Sequence, residues 1–265
     1  MTLHQLEAHS ETLKIARLLD STADELSFLT ELPPDELRAF REQVTSALFD
    51  SHHGVLQRMA AASRLLPAPV LAKIAERVFG PLLCARMAGL VDTPRGVDVA
   101  TRLSPPFLAD VAARLDPRRA SDIITRIPTE LVREVAAELT RRADWIAIGQ
   151  FVDSLPPTAL RAGLGQIDDA ALLRIAFVLD HKEKMDNMVD LLDQERLTGI
   201  VQQAAHTQQW LAAFDLLSHL GHRNADRVVT AFDTLDTETR ADAAEIAREY
   251  GFHEQLDSLL AERDS

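Results

Sequence analysis

One cysteine, Cys84, stands in 265 residues, so neither an internal disulfide nor a thiolate zinc site can form within the chain. Its apolar neighbours Leu82, Leu83, Met87 and Ala88 mark it as a buried, inert thiol. Aromatic residues make up only 5% of the chain, and with 46% hydrophobic content the core must be built mainly from Leu, Ala, Val and Ile. Lysine is scarce, four against 24 arginines, which reads as compositional bias rather than an arginine-specific function. No run approaches the roughly 18 apolar residues that cross a bilayer, so membrane insertion is not expected. The first residues, with Glu7 and Glu11 beside Lys14 and Arg17, lack the basic start and apolar stretch of a signal peptide, which predicts a cytoplasmic protein.

Positive charge is also in deficit. The net charge of −13 opposes a long contact with nucleic-acid phosphates or an anionic membrane. The imbalance is uneven: residues 1–40 carry eight acids against three bases and residues 225–265 eleven against four, while 92–142 holds nine arginines against eight acids. Acidic ends of this kind keep a protein soluble, and a monomer or weak homo-oligomer is expected. Catalytic signatures are missing as well. There is no G-x-x-x-x-G-K-S/T or G-x-G-x-x-G phosphate loop, and neither H-E-x-x-H nor G-x-S-x-G occurs, so no enzyme, catalytic residue or cofactor is expected.

What the sequence does contain is a repeat. Asp92-Thr93-Pro94-Arg95-Gly96-Val97-Asp98-Val99-Ala100-Thr101-Arg102-Leu103 is answered 24 residues later by Asp116-Pro117-Arg118-Arg119-Ala120-Ser121-Asp122-Ile123-Ile124-Thr125-Arg126-Ile127. The second halves, Leu108 to Leu115 and Val132 to Leu139, keep the offset, and nine of the 24 positions are identical. Self-similarity at a fixed period marks units that cannot bury their apolar faces without neighbours. The expected fold is all-α, a right-handed α-solenoid of short antiparallel helix pairs with repeats of about 24 residues. Asp92 and Asp116 stand where a helix cap would, and Asp98–Arg102 and Asp122–Arg126 are spaced as i, i+4 ion pairs.

Apolar–proline pairs at Leu32-Pro33, Leu66-Pro67, Ile127-Pro128 and Leu155-Pro156 predict one helix start after another, with proline in the first turn. Three regions follow from these signals: a helical N-terminal cap region at 1–65, clear repeats at 66–165, and further repeats at 166–265. The last region closes on acidic capping helices over 241–250 and 253–261.

The residues Asp116 to Ile124, then Ile127-Pro128 and Val135-Ala136-Ala137-Glu138-Leu139, resemble the superhelical repeats of the cytosolic N-terminal domain of MgtE-type magnesium transporters. A weaker likeness is to the armadillo-like middle segment of flagellar motor-switch proteins. The resemblance covers about 50 residues clearly and implies a fold rather than an activity. In that family the acidic domain lies beneath nucleotide-binding-type modules and a pore and helps to sense Mg²⁺. These 265 residues carry neither module nor pore, so no transport is expected of them, and no sensing residue can be matched.

The main expectation is a scaffold that binds a protein or peptide, with the repeated row Arg95, Arg102, Arg119 and Arg126 as the candidate contact surface. An alternative is a groove for a lipid-like apolar molecule near Trp145, Phe151, Phe177 and Trp210. A third, implied by the resemblance, is a Mg²⁺-responsive regulator. Asp215, His219 and His222, at i, i+4 and i+7 with His206 nearby, would share a face only if their helix ran through Gly221, where an αL cap is expected instead. His52-His53 reads as a solvated loop.

Overall fold

The computed structural model describes residues 3–50 and 53–252. The described residues are helical and turn-forming, with no strand, and no helix among them is long and apolar enough to cross a membrane. The chain divides into two compact units. One is Ala8–Ile167; the other holds the chain from Asp168 onward together with its start up to Glu7. The predicted regions 1–65 and 66–165 thus fall almost entirely within the first unit, and the predicted helix over 253–261 lies outside the described residues.

The first unit contains α1 (Leu3–Leu18, from Ala8), α2 (Pro34–Asp50), α3 (His53–Ser63), α4 (Ala68–Ile74), α5 (Gly80–Ala88), α6 (Thr93–Ala100), α7 (Pro105–Ala112), α8 (Ser121–Ile124), α9 (Thr129–Arg141), α10 (Trp145–Phe151) and α11 (Pro157–Leu164). Alternate helices stack: α3 on α5, α5 on α7, α7 on α9 and α9 on α11 in one row, with α4 on α6 and α6 on α8 in another. Small residues permit this closeness. A Cβ on Gly96 would come within 2.2 Å of Ile123 Cδ1, and one on Gly89 within 2.6 Å of the Arg119 carbonyl oxygen. The core is accordingly a series of small clusters, such as Ala72, Ala75 and Leu103 or Ala109, Leu139 and Ala147, set between neighbouring helices.

Pro67, Pro128 and Pro156 each occupy the cap position itself, in extended backbone, so the proline sits one residue before the first helical turn rather than inside it. A proline there loses nothing, because the N–H it lacks is not one the helix uses. The helix ends need a different device. Asp20 and Ala143 adopt φ of 55° and 54°, and the next residues, Ser21 and Asp144, donate N–H bonds back to Ala16 and Leu139 carbonyls. That pairing is a Schellman closure, made here without glycine.

α1 is buried nearly all round between Ser10 and Ala16 although it is polar. Glu11, 2% exposed, accepts from Lys14 Nζ at 2.8 Å and from Arg41 Nε at 2.9 Å. Arg17 pairs with both carboxylate oxygens of Asp144 and reaches the Ala113 carbonyl. Charges buried in this way are tolerable only because they are paired.

The second unit contains α12 (Asp169–Phe177), α13 (Met185–Val189), α14 (Gln194–His206), α15 (Trp210–Leu217), α16 (His222–Phe232) and α17 (Thr237–Glu249). Here α14 packs between α12 and α16, and α15 packs on α12, α14 and α17. Aspartate starts three of these helices, α12, α14 and α17. Asp168, Asp193 and Asp236 accept from the N–H groups of Ala171, Arg196 and Thr239 at 2.7, 2.8 and 2.9 Å.

Candidate functional site

Two features stand out as places where another molecule could be held. The first lies in the second unit, where α12 to α16 enclose a cavity of about 100 Å³ whose lining residues are all apolar. The i, i+4 spacing of Trp210 and Phe214 puts both rings on one face of α15. They stack with centroids 6.0 Å apart, and Phe232 from α16 meets Trp210 edge-on at the same distance. Trp210 is 2% exposed, and its Nε1–H has no hydrogen-bond partner among the described residues. Met185 and Met188 from α13 close another wall.

The second feature lies in the first unit. Among the described residues eleven large apolar side chains are exposed, and six of them, Val55, Leu65, Leu66, Val70, Val78 and Leu82, fall within 28 residues of sequence. Leu65 is 86% exposed and Val78 73%. α4 runs on without a break into a π-helical turn, Ala75–Phe79, before Gly80 turns the chain at φ 72°. The wider i→i+5 turn offsets the rotation that an α-helix would accumulate between Val70 and Val78, which keeps the two valines close in line. The same stretch, residues 53–88, carries Arg58, Arg64, Lys73, Arg77 and Arg86 against one acid, Glu76. That acid is taken up by Ser104, whose N–H and hydroxyl both donate to it and hold its carboxyl below the usual range. An apolar and basic surface thus sits on a strongly acidic protein.

The arginine row divides into four separate roles. Arg95 donates to the Ser63 and Leu66 carbonyls at the end of α3. Arg119 binds Asp50 at 2.8 Å and lies over the Phe49 ring at 5.4 Å; the Asp50 bond raises the arginine's pKa and lowers the aspartate's. Arg102 pairs with Asp98 as the spacing predicted. Arg126 is exposed, and no ion pair with Asp122 forms. Asp92 does hold a cap position, but its carboxylate accepts from Arg64 rather than from the helix. Asp116 is no cap: it is buried and accepts from the Arg118 N–H and the Arg118 guanidinium, with Arg119 Nε 3.5 Å away.

The four aromatic candidates are divided between the two units. Trp145 and Phe151, at the two ends of α10, belong to the first unit; Phe177 and Trp210 belong to the second, and of the four only Trp210 lines the cavity. The histidine cluster is likewise dispersed. Asp215 takes Lys182 Nζ, His219 Nδ1 donates to the Asp215 carbonyl at 2.7 Å, and Gly221, at φ −70°, starts α16 instead of closing α15 through an αL turn. Among the described residues no three His, Cys, Asp or Glu side chains form a metal-binding group. His52 lies outside the described residues. Cys84 is partly buried, and burial pushes its thiol up to about 11, far from a reactive thiolate at neutral pH.

No protein-family model, curated protein or solved structure matches the chain.

Both features leave a trace in the sequence, and Trp210 is already among the residues of the expected apolar groove. The cavity left a usable signal in the apolar run Trp210-Leu211-Ala212-Ala213-Phe214, which is followed by two more leucines at 216 and 217. The basic stretch leaves another, since the sign of the charge reverses over 53–88, where five bases stand against one acid.

Proposed function

We propose that this chain is a non-enzymatic helical-repeat scaffold, an α-solenoid akin to the MgtE-type N-terminal repeats it resembles, and that α3 to α5 hold an acidic amphipathic segment of a protein partner. The observation that carries the reading is the concentration of exposed Leu65, Leu66, Val70, Val78 and Leu82 in a stretch that holds five bases, of which Arg64 pairs with Asp92, against the single acid Glu76. Apolar patches rimmed by charge are where soluble proteins meet partners. The alternate stacking of α3, α5, α7, α9 and α11 supports the solenoid part, because each helix contacts the one two places on, as repeats in a linear stack do.

The test is affinity capture from source cells with the wild type, a Leu65→Ser/Val78→Ser double variant and an Arg58→Glu/Arg77→Glu double variant, followed by crosslink mapping. The expected result is a stoichiometric protein crosslinked within 53–88 and lost in both variants. A partner retained by both variants would refute the proposed face, and sedimentation with anionic vesicles instead of a protein would point to a membrane surface. A second reading, an apolar molecule held between helices, is favoured by the cavity beside Trp210. Its volume of about 100 Å³ is well below the roughly 300 Å³ at which drug-sized ligand pockets begin, which favours a small occupant.

A further inference from the structure

We propose that the partner of the α3 to α5 face is a second copy of this chain, which docks its own acidic edge, residues 19–40, head to tail on the basic face. The inference rests on the partner face of the proposed function and names its occupant. Among the described residues of the unit Ala8–Ile167, ten large apolar side chains are exposed, and they fall into two sets. Six belong to the basic stretch described above; the other four are Leu19, Phe28, Leu32 and Phe40. Around these four the charge has the opposite sign. Residues 19–40 carry Asp20, Asp24, Glu25, Glu31, Asp35 and Glu36 against one base, Arg38. All six acids are exposed and none makes an ion pair among the described residues, whereas Arg38 lies 3.6 Å from the buried Glu11.

Local structure turns the acidic and apolar side chains outward together. Leu29 of the short 3₁₀ helix Ser27–Glu31 and Leu37 of α2 join Ala8 and Ile15 of α1 in one buried cluster, which leaves Phe28, Leu32 and Phe40 outside it. Glu36 and Phe40, four residues apart on α2, share a face. On the other surface Lys73 and Arg77 are also four apart, and both are exposed without an ion pair among the described residues. An apolar surface rimmed with acids complements one rimmed with bases, while two like surfaces repel. Each set stays exposed in the folded unit, so the two do not cover each other within it and the complement has to come from another molecule. α17 is acidic too, but no large apolar side chain along it is exposed, which leaves 19–40 as the matching surface among the described residues. The paired surfaces differ, so the contact is heterologous and copies add until the assembly closes. The net charge of −13 on each copy keeps that contact weak.

The experiment is sedimentation equilibrium of the purified full chain over about 5 to 500 µM. The average mass should rise with concentration, with a dissociation constant on the order of 50 µM at low salt and about tenfold weaker at about 0.5 M salt. Phe28→Ser/Phe40→Ser, which spoils the acidic edge, and Leu65→Ser/Val78→Ser, which spoils the basic face, should each stay monomeric alone. Mixed in equal amounts they should form a 1:1 dimer, because each variant keeps the surface that the other has lost. Should an apolar variant fail to fold, Glu31→Lys/Glu36→Lys and Lys73→Glu/Arg77→Glu read the same two surfaces. A wild-type monomer over the whole range overturns the inference, and so does association that survives either pair of substitutions or a mixture that stays monomeric. If that monomeric wild type still captures an unrelated protein crosslinked within 53–88, the proposed function stands without this inference; if it captures none, both fall.

Discussion

The two units treat apolar side chains in opposite ways. Ten of the eleven exposed large apolar residues belong to the unit Ala8–Ile167, whose own interior holds Glu11, Lys14 and Asp116. Among its described residues the other unit exposes Tyr250 alone, and its apolar side chains line a pocket beside Trp210. The proposed partner face and the pocket thus fall in different units. Their helix starts differ in emphasis: proline, which organises the backbone without adding charge, opens α4, α9 and α11 of the first unit, where an aspartate carboxylate caps α10, while aspartate carboxylates open α12, α14 and α17 of the second.

The contrast can be broken most severely at its polar interior. Glu11→Ala removes the carboxylate to which buried Lys14 and Arg41 donate and should cost about 3–5 kcal/mol in urea unfolding. Gly89→Ala comes next, at about 1–3 kcal/mol, because its Cβ meets a backbone oxygen that cannot swing aside. The helix starts separate the units more finely. Asp168→Ala, which deletes a cap bond, should lose about 1 kcal/mol, whereas Asp92→Ala, whose carboxylate makes none, should lose under about 0.5 kcal/mol.

A pH series sharpens the comparison within the repeats. Hydrogen bonds from Arg141, and then from Arg142, hold the Glu138 carboxyl at about 2 instead of the ordinary 4.5. The folded value lies below the unfolded one, so its stabilisation is complete above about pH 4.5 and is lost as pH falls toward 2. The difference in melting temperature between wild type and Glu138→Gln should therefore shrink over that window. The smallest effect on stability is expected from Leu65→Ser with Val78→Ser, within about 0.5 kcal/mol, although the same pair should eliminate partner capture.

Much of this fold was legible because helix starts, periodicity and small-residue spacing are local properties. The use of individual charges was not. Asp92 and Asp116 are the same letter at the same place in the repeat, yet one is exposed beside Arg64 and the other is buried beside Arg118 and Arg119. Arg95 and Arg119 likewise reach to Ser63 and Asp50, in elements that precede the repeat pair and share none of its pattern. A repeat specifies its own unit, whereas a side chain at its border answers to whichever neighbour lies there. The cavity was hidden for a related reason: an apolar sequence reports that a face is buried but not whether the facing helices fill the space between them.

The arginines that reach back to carbonyls give assembly an order in time. The end of α3 is completed by Arg95, 32 residues beyond Ser63, and the end of α13 by Arg227, 38 residues beyond Val189. Arg17 on the first helix waits for Asp144, 127 residues later. As the chain leaves the ribosome, each of these groups faces water until a distant partner has been made, so α1 is locked in place only after the start of α10 has emerged.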